Sequence, residues 1–232
     1  MKIQTKFKDL GIIDYKEAWD IQEKLFEQVV AAKLYNRENE QEQQIINYLL
    51  FCEHSHVFTL GKSGAASNLL ISDDLLEKIG AKFYKINRGG DITYHGPGQL
   101  VGYPIFDLEV MGLGIKEYIH LLEESIISVL ADMGIVGSRL DGATGVWLDA
   151  EDSSRARKIC AIGVRASRFV SMHGFAFNVN TNLDYFRYIN PCGFVDKGVT
   201  SLEKELGESQ SIDQVKSLLL EKMKKTFGFS LV

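Results

Sequence analysis

The chain has 232 residues, of which 45% are hydrophobic and 25% charged, and its formal net charge is −5. That length and composition indicate a soluble globular protein of one large domain or two small ones. The acidic balance argues against broad nucleic-acid binding, and no apolar run approaches the roughly 20 residues that cross a bilayer. The amino terminus lacks the apolar core of a signal peptide, and three cysteines suit a reducing compartment, so we expect a cytoplasmic protein.

The first half of the chain predicts one long helix followed by strands. Asp14 and Glu17 form a capping box, after which apolar residues recur at helical spacing. The polar stretch 37–44 predicts a loop or a frayed helix end. A short helix is predicted after Ser72. Strands are predicted at 45–52, 57–60, 82–87 and 99–108, with a glycine-rich loop at 88–98.

The second half predicts a helix at 115–133, strands at 145–149, 158–166 and 172–178, and a final helix at 212–227. Hairpin-like strands with helices inserted between them favour an α/β fold of the α+β type, with a mixed sheet flanked by helices. We treat 1–232 as a single domain with a helical carboxy-terminal extension at about 207–232. A smaller lobe that begins near Gly207 is the alternative.

The densest motif is RGGDITYHGPGQ, at residues 88–99. Its glycines allow the backbone to approach a ligand closely and to adopt positive φ. Its other side chains supply a cation and hydrogen-bonding groups. The motif is not GxxxxGK[ST], and strand-like residues rather than a helix follow it, so neither common nucleotide-binding loop is supported. It predicts either a structural turn or a backbone-lined ligand cradle.

Cys192 is the cysteine whose surroundings suggest chemistry. It lies between Pro191 and Gly193, in the kind of rigid turn from which a scaffold presents reactive atoms. A small buried hydrophobe is the alternative for a lone cysteine. Cys52 and Cys160 lie in apolar strands, and we expect both to pack.

Four segments, in their order and spacing, resemble one family. They are RGGDITYHGPGQLVGYPI, KICAIGVR, HGFAFNVN and INPCG, and the likeness covers roughly residues 54 to 201. The chain resembles the lipoyl(octanoyl) transferases, also called octanoyl-[acyl carrier protein]:protein octanoyltransferases or lipoate-protein ligase B. The resemblance implies the α/β fold that this family shares with the catalytic domains of biotin and lipoate ligases.

The resemblance also implies a mechanism. Cys192 would take an octanoyl group from octanoyl-acyl carrier protein as a thioester and pass it to a lysine of a lipoyl domain. Lys158 would lower the pKa of that thiol and carry protons, because a nearby cation favours the thiolate. The acceptors would be lipoyl domains of 2-oxoacid dehydrogenase complexes and the glycine cleavage H protein. No cofactor, no metal, no nucleic acid and no membrane is expected to take part.

By the same resemblance, substrate contacts fall in three of the segments. The predicted substrate-binding residues are Arg88, Gly89, Gly90, Asp91, Ile92, Thr93, Tyr94, His95, Ala161, Ile162, Gly163, Gly174, Phe175 and Ala176. The family commonly has serine where this chain has Ala161, so a hydroxyl contact is lost there, whereas a backbone contact would survive. An eight-carbon chain also needs an apolar tunnel. Its candidate walls are Val101, Tyr103, Phe175 and Phe177.

Two histidines suggest other chemistry. His95 and His173 invite a metal site, but no third ligand at suitable spacing supports zinc. We expect His95 to orient the loop or a thioester oxygen, and a histidine base for Cys192 is the alternative.

The segment 153–183 contains no acidic residue. Its cations are Arg155, Arg157, Lys158, Arg165 and Arg168. These charges predict a docking surface for an acidic carrier protein, with a solvated hairpin as the alternative.

Three other functions compete with the transferase. An ATP-dependent lipoate or biotin-type ligase would use a related fold without needing Cys192. An octanoyl amidotransferase would move the acyl group between lipoyl domains through the same kind of thioester. A non-catalytic acyl-carrier-binding module would bind the carrier without forming a covalent adduct.

Overall fold

A large mixed sheet of nine strands dominates the computed structural model, which describes residues 3–39, 43–190 and 198–232. In chain order the strands are β1 (Ile3–Ile12), β2 (Asn47–Glu53), β3 (Val57–Leu60), β4 (Lys82–Lys85), β5 (Ile92–His95), β6 (Gln99–Ile105), β7 (Ser138–Leu140), β8 (Ala143–Leu148), β9 (Arg157–Ser167), β10 (Val170–Asn178), β11 (Gly198–Val199) and β12 (Phe229–Leu231). The large sheet has the order β12-β1-β2-β6-β10-β9-β8-β7, with β11 paired to β9. β1 is parallel to both neighbours and β11 is parallel to β9, whereas the other pairs are antiparallel.

A second sheet has three strands, in the order β4-β3-β5. The helices are α1 (Tyr15–Glu38), α2 (Asp73–Lys78), α3 (Ile115–Asp132), α4 (Leu202–Leu206) and α5 (Ile212–Phe227), with 3₁₀ turns at Ala66–Asn68 and Leu183–Tyr188. The predicted α+β architecture, a mixed sheet flanked by helices, is therefore confirmed.

Local sequence explains where the helices begin and end. The Asp14 carboxylate accepts a hydrogen bond from the backbone N–H of Lys16 at 2.8 Å and starts α1. Ser72 and Ser211 cap α2 and α5 in the same way. Gly228 ends α5 with a φ of 68°, a conformation that glycine adopts without steric cost. The helix starts predicted at Asp14 and Ser72 are confirmed.

Helices cover both faces of the large sheet. α1 packs on one face, where Ala18, Val29 and Val30 meet residues of β2, β6 and β10. α3 and α5 pack together on the other face, in a core that includes Tyr118 and Leu219. The segment after residue 207 is integrated into this core, because α5 packs against α3 and β12 extends the sheet beside β1.

Several elements depart from the prediction, and two of them lie in the first half of the chain. The loop predicted at 88–98 contains β5, which pairs antiparallel with β3. Its residues Ile-Thr-Tyr-His are β-branched or aromatic and suit a strand once a partner strand is present. β1 was not predicted either, since lysines interrupt its apolar pattern.

No helix of the described ranges is long and apolar enough to cross a membrane.

Candidate active site

A cavity of about 290 Å³ lies between the α1 face of the large sheet and the second sheet. Its floor comes from β6, β9 and β10, whose register brings Val101, Ala176 and Ala161 side by side. Small residues on neighbouring strands leave room above the sheet, since residues directly opposite each other share a face. The floor is therefore a shallow trough rather than a packed core.

The glycine-rich segment forms the wall opposite the floor. It crosses β9 at Gly163, where the N–H of Gly89 donates to the carbonyl of Val164 at 2.9 Å. A Cβ atom at Gly163 would lie 3.1 Å from both Arg88 Cδ and the Gly89 carbonyl oxygen, so a side chain there would require these neighbours to shift by a few tenths of an ångström. Gly89 and Gly163, which come from two separate motifs, thus lie on the two sides of this crossing.

Arg88 is buried, and its guanidinium points back into the protein. Nη2 donates to the carbonyl of Thr59 at 2.8 Å and to its hydroxyl at 3.1 Å, while Nη1 donates to the carbonyl of Gly89 at 2.9 Å. Asp91 is also buried, and its carboxylate accepts from Asn68 Nδ2 at 2.7 Å and from the N–H of Ile92 at 2.6 Å. These two side chains line the cavity and also hold the glycine-rich segment in shape.

Lys158 lies at the start of β9, at the more exposed end of the cavity. Its ammonium donates to the carbonyl of Thr144 at 3.1 Å and lies 4.6 Å from the centroid of the Trp147 ring. The lining residues Thr144 and Gly198 beside it are exposed. At the other end the lining residues Tyr15, Tyr103 and His173 are buried. The cavity thus opens next to a cation and is closed by aromatic and histidine side chains.

Strand β11 borders Lys158 on the other side. Val199 pairs with Lys158 in register, and the N–H of Thr200 donates to the carbonyl of Lys158 at 2.9 Å. Ile189 and Gly198 both line the cavity. They are described residues on the two sides of the segment 191–197, which contains Cys192 and lies outside the described residues.

Both histidines in the site are buried and neutral. Burial lowers the pKa of His95 to about 3 and, together with the charge of Arg88, lowers the pKa of His173 to about 3. His95 Nδ1 is 2.9 Å from Gln99 Oε1, and its ring stacks on Tyr15 with the centroids 5.8 Å apart. Both contacts are made by the side chain of His95 to residues of the fold, and its role in orienting the loop or a thioester oxygen remains a prediction.

His173 takes part in different contacts. Its Nε2 is 2.9 Å from Asn87 Oδ1, and its backbone N–H donates to Gln22 Oε1 at 3.2 Å. Its backbone φ of 61° is positive, which is uncommon for a residue with a side chain. Its Nδ1 finds no hydrogen-bond partner among the described residues. The described ranges also contain no group of three or more histidine, cysteine, aspartate or glutamate side chains able to hold a metal.

Most of the predicted substrate-binding residues come together in this cavity. The lining includes Arg88, Gly90, Asp91, Ile92, Thr93, His95, Ala161, Ile162, Gly163, Gly174, Phe175 and Ala176. Gly89 and Tyr94 do not line it. The Tyr94 hydroxyl is instead 2.7 Å from His56 Nδ1, and its ring stacks on Tyr185. The binding roles themselves remain predictions.

The candidate tunnel walls divide in a similar way. Val101, Tyr103 and Phe175 line the cavity, whereas Phe177 does not. Phe175 and Phe177 are two residues apart on β10, and both also belong to the core beside α3 and α5.

Cys52 and Cys160 are fully buried, as expected from their strands. Burial raises the pKa of the Cys160 thiol well above its ordinary value, although the nearby charge of Lys158 acts in the opposite direction. A thiol that is buried and protonated is a poor nucleophile. Both cysteines therefore pack.

Two of the five cations in the basic segment 153–183, Arg155 and Arg157, are paired with carboxylates of the protein. Arg157 forms a bidentate ion pair with Glu205, at 2.7 and 2.6 Å, and also pairs with Asp149. Arg155 lies 3.3 Å from the same Asp149 carboxylate, and Arg165 lies over the ring of Phe26. The predicted docking surface for an acidic carrier protein did not take account of these carboxylates, which come from outside the segment, and it remains a prediction.

The sequence motifs missed several lining residues. Tyr15, Gln99, Trp147, Asn178 and Phe186 all line the cavity. Gln99 lies in the RGGDITYHGPGQ motif and Asn178 lies in HGFAFNVN. Each is a polar residue within a largely apolar strand, and this contrast could have identified both as candidate site residues. Tyr15 and Trp147 reach the site through tertiary packing alone.

The amino-acid sequence is similar to those of known proteins. The family described as "Lipoyl protein ligase A/B catalytic domain" matches residues 14–224. An octanoyltransferase of Bacteroides fragilis is 56% identical over 217 residues, covering 94% of this chain and 95% of its own. An octanoyltransferase of Flavobacterium psychrophilum is 55% identical over 233 residues, covering 100% of both chains.

Solved structures show the same fold at low identity. A bi-partite lipoate protein ligase from Thermoplasma acidophilum superposes with a TM-score of 0.71 at 15% identity, over 99% of this chain and 86% of its own. Biotin protein ligase from Aquifex aeolicus superposes with a TM-score of 0.54 at 13% identity, over 96% and 70%. The fold is thus that of biotin and lipoate ligase catalytic domains. Since the two relatives above are octanoyltransferases at 55% and 56% identity over nearly the whole chain, the chain belongs to the lipoyl protein ligase A/B catalytic-domain family as one of its octanoyltransferases.

Proposed function

We propose that this protein transfers an octanoyl group from octanoyl-acyl carrier protein to the ε-amine of a lipoyl-domain lysine, through a thioester on Cys192. The observation that carries the proposal is a cavity that opens beside the Lys158 ammonium. Its lining includes Ile189 and Gly198, which flank the segment that contains Cys192. A cation and described residues from both sides of the cysteine segment therefore border one acyl-sized space.

The cavity suits an eight-carbon chain in size and chemistry. An apolar protein cavity of roughly 150 Å³ holds benzene, so about 290 Å³ leaves room for a longer flexible chain. Val101, Ala176 and Ala161 offer apolar surface along the floor. Each buried methylene contributes about 0.8 kcal/mol, which favours a medium-length chain over a short one.

In the first step, the Cys192 thiolate attacks the thioester carbonyl of the donor. A new carbon–sulfur bond forms and the bond to the carrier sulfur breaks, and the departing thiolate takes up a proton from Lys158. A cysteine with an ordinary pKa of about 8.5 is mostly a thiol at neutral pH, so a neighbouring ammonium is needed to favour the thiolate. Lys158 is a cation held at the open end of the cavity by Thr144 and Trp147.

In the second step, the neutral amine of the acceptor lysine attacks the octanoyl-cysteine carbonyl. A carbon–nitrogen bond forms, the bond to the Cys192 sulfur breaks, and the amine gives up a proton to Lys158 or to the released thiolate. An amide is more stable than a thioester, so this step drives the reaction. We propose as acceptors the lipoyl domains of 2-oxoacid dehydrogenase complexes and the glycine cleavage H protein.

Intact-mass measurement after mixing with octanoyl-acyl carrier protein, without acceptor, tests this proposal. We expect wild-type protein to gain one octanoyl group, which hydroxylamine removes, and Cys192→Ala protein to gain none. We expect Lys158→Met protein to gain it at least about a hundredfold more slowly, because a positioned acid–base group contributes a factor of this order. Retention of the adduct by Cys192→Ala, or its location on Cys160, would contradict the proposal.

Alternative donors separate the competing functions. If octanoate with ATP labelled the acceptor and octanoyl-acyl carrier protein did not, the protein would be a ligase. If octanoylated H protein were the better donor, it would be an amidotransferase. Tight carrier binding without an adduct in any variant would indicate a binding module.

A further inference from the structure

A series of buried hydrogen bonds crosses the cavity floor from β6 to β11. Gln99 and Asn178 are directly paired residues of β6 and β10, and Gln99 Nε2 donates to Asn178 Oδ1 at 2.9 Å. Asn178 Nδ2 donates to the carbonyl of Thr200 at 2.9 Å. The N–H of Thr200 in turn donates to the carbonyl of Lys158 at 2.9 Å. These bonds connect the middle of the large sheet with the residue that carries the site's cation.

The Thr200 carbonyl determines the direction of every bond that follows. Because a carbonyl only accepts, the Asn178 amide must present its NH₂ group to Thr200 and its oxygen to Gln99. Gln99 then uses its own NH₂ group on Asn178 and on the carbonyl of Tyr94, at 2.9 and 3.2 Å. Its oxygen Oε1 is left to accept from His95 Nδ1.

The directions of these hydrogen bonds also determine which ring nitrogen of His95 carries the proton. A neutral imidazole that donates through Nδ1 carries a bare lone pair on Nε2. That lone pair faces the Thr59 hydroxyl at 3.5 Å, which can supply a proton because its oxygen accepts from Arg88. The burial of His95, which lowers its pKa to about 3, agrees with a neutral ring.

Burial of the Gln99 and Asn178 side-chain amides carries a free-energy cost. Gln99 is 1% exposed and Asn178 is 4% exposed, and burying an amide costs free energy unless its bonds are made. An apolar pair would fill the same space without that cost. A satisfied polar network instead selects one arrangement of the strands that it joins.

We propose that the Gln99–Asn178 pair is the positioning device of this site, which holds β11 in register with β9 and so places Lys158 at the open end of the cavity. Gln99 and Asn178 are positioning residues, since they act through Thr200 on Lys158. The inference rests on the proposed function in one respect, that Lys158 is the group whose position matters for acyl transfer.

Asn178→Asp tests the device because it changes one donor into an acceptor without changing shape. The ionised carboxylate still accepts from Gln99 but repels the Thr200 carbonyl, whereas the protonated acid can donate to it. Burial raises the pKa of such a carboxyl, so the acid form is populated near neutral pH. We expect adduct formation relative to wild type to be about tenfold or more slower at about pH 8.5 and to recover toward pH 6.

The matched control is Asn180→Asp, the same change two residues later. Asn180 Nδ2 donates to the carbonyl of Gln210 at 2.7 Å, and the residue is not part of the cavity wall. We expect its rate to stay within about twofold of wild type with no change in the pH profile. Gln99→Met, which keeps the volume and removes the bond to Asn178, should slow adduct formation without pH-dependent recovery.

A second readout does not depend on acyl transfer. Trp19 and Trp147 are the two tryptophans of the chain, so in a Trp19→Phe background the emission reports on Trp147 and the Lys158 ammonium beside it. At high pH, the Trp147 fluorescence emission of the Asn178→Asp protein should differ from that of the Trp19→Phe parent. At low pH, it should return to the emission of that parent. Unchanged emission and an unchanged rate ratio across the pH range would overturn the inference. If emission followed pH but the wild type formed no adduct, the proposed function would fail and the positioning role would stand.

Discussion

At the scale of single residues, the cavity exists because the strands beneath it carry small side chains. Ala161 and Ala176 face each other across β9 and β10, and both line the cavity. Ala161, where the family resemblance leads us to expect a serine, lies within this trough. A side chain here occupies space that the proposed acyl chain would otherwise fill.

Ala161→Leu should shorten the acyl chain that the site accepts. Leucine adds three carbon atoms to the trough, and each displaced methylene contact forfeits about 0.8 kcal/mol. Octanoyl adduct formation should fall about tenfold or more while a butanoyl donor is affected less. The measurement is the rate of adduct formation by wild-type and Ala161→Leu protein with an octanoyl and with a butanoyl donor.

Ala161→Ser is the control, since it adds only a half-exposed hydroxyl. We expect its octanoyl rate to stay within about threefold of wild type. Equal losses for octanoyl and butanoyl donors in Ala161→Leu protein would show that this residue does not line the acyl path.

At the scale of elements, ion pairs attach β9 to the helix that follows β11. Arg157 at the start of β9 holds Glu205 of α4 through two short hydrogen bonds, and the Thr200 hydroxyl donates to the same carboxylate. Thr200 is therefore attached both to Asn178 through its carbonyl and to Glu205 through its hydroxyl. Pairing with Arg157 lowers the pKa of Glu205 and raises the pKa of Arg157.

Glu205→Gln should lower the free energy of unfolding by about 1–3 kcal/mol, the range for a hydrogen bond to a charged group. Because the folded pKa of Glu205 is depressed, this contribution is fully present above its ordinary value of 4.5 and is lost as pH falls through the folded pKa. Urea unfolding of both proteins at a series of pH values measures the difference. Glu208→Gln, an exposed charge change nearby, should be nearly neutral. A difference that persists undiminished at the acid end would exclude the ion pair as its source.

At the scale of the whole molecule, the site is built where three layers meet. The large sheet supplies the floor, the second sheet and its glycine-rich segment supply the opposite wall, and Tyr15 of α1 helps to close one end. Closing this space buries polar groups. Among them, His95 and His173 remain neutral in the folded protein.

These buried histidines should make the protein sensitive to mild acid. Their folded pKa of about 3 lies below the ordinary 6.5, so as pH falls below 6.5 the unfolded chain takes up protons that the folded chain does not. Stability then decreases by up to about 1.4 kcal/mol per pH unit for each histidine. Urea unfolding between about pH 7 and pH 5 should show this slope, and His173→Gln should reduce it. Identical slopes would contradict the assignment.

The sequence by itself determined the elements whose signals are local. Helix caps such as Asp14 and Ser72, the apolar spacing of α5 and the β-branched runs of β3 and β9 depend on neighbours a few residues away. The motifs also identified the family, because their order along the chain is a property of sequence alone. The pairing of Lys158 with Cys192 came from that resemblance, and it remains a prediction.

Only the tertiary structure decided which side chains share the cavity and which charges are neutralised. Tyr94 and His95 are adjacent in sequence, yet strand alternation directs them to different surroundings. The sequence suggested that Arg157 could bind a partner protein. In the fold it instead forms an ion pair with Glu205, which lies 48 positions later in the chain. The motifs that contain Gln99 and Asn178 did not indicate that these residues are in contact. The pairing of β6 with β10 brings them together and places Asn178 within hydrogen-bonding distance of Thr200. Such contacts depend on strand register and on chain segments far apart in sequence, which local patterns do not encode.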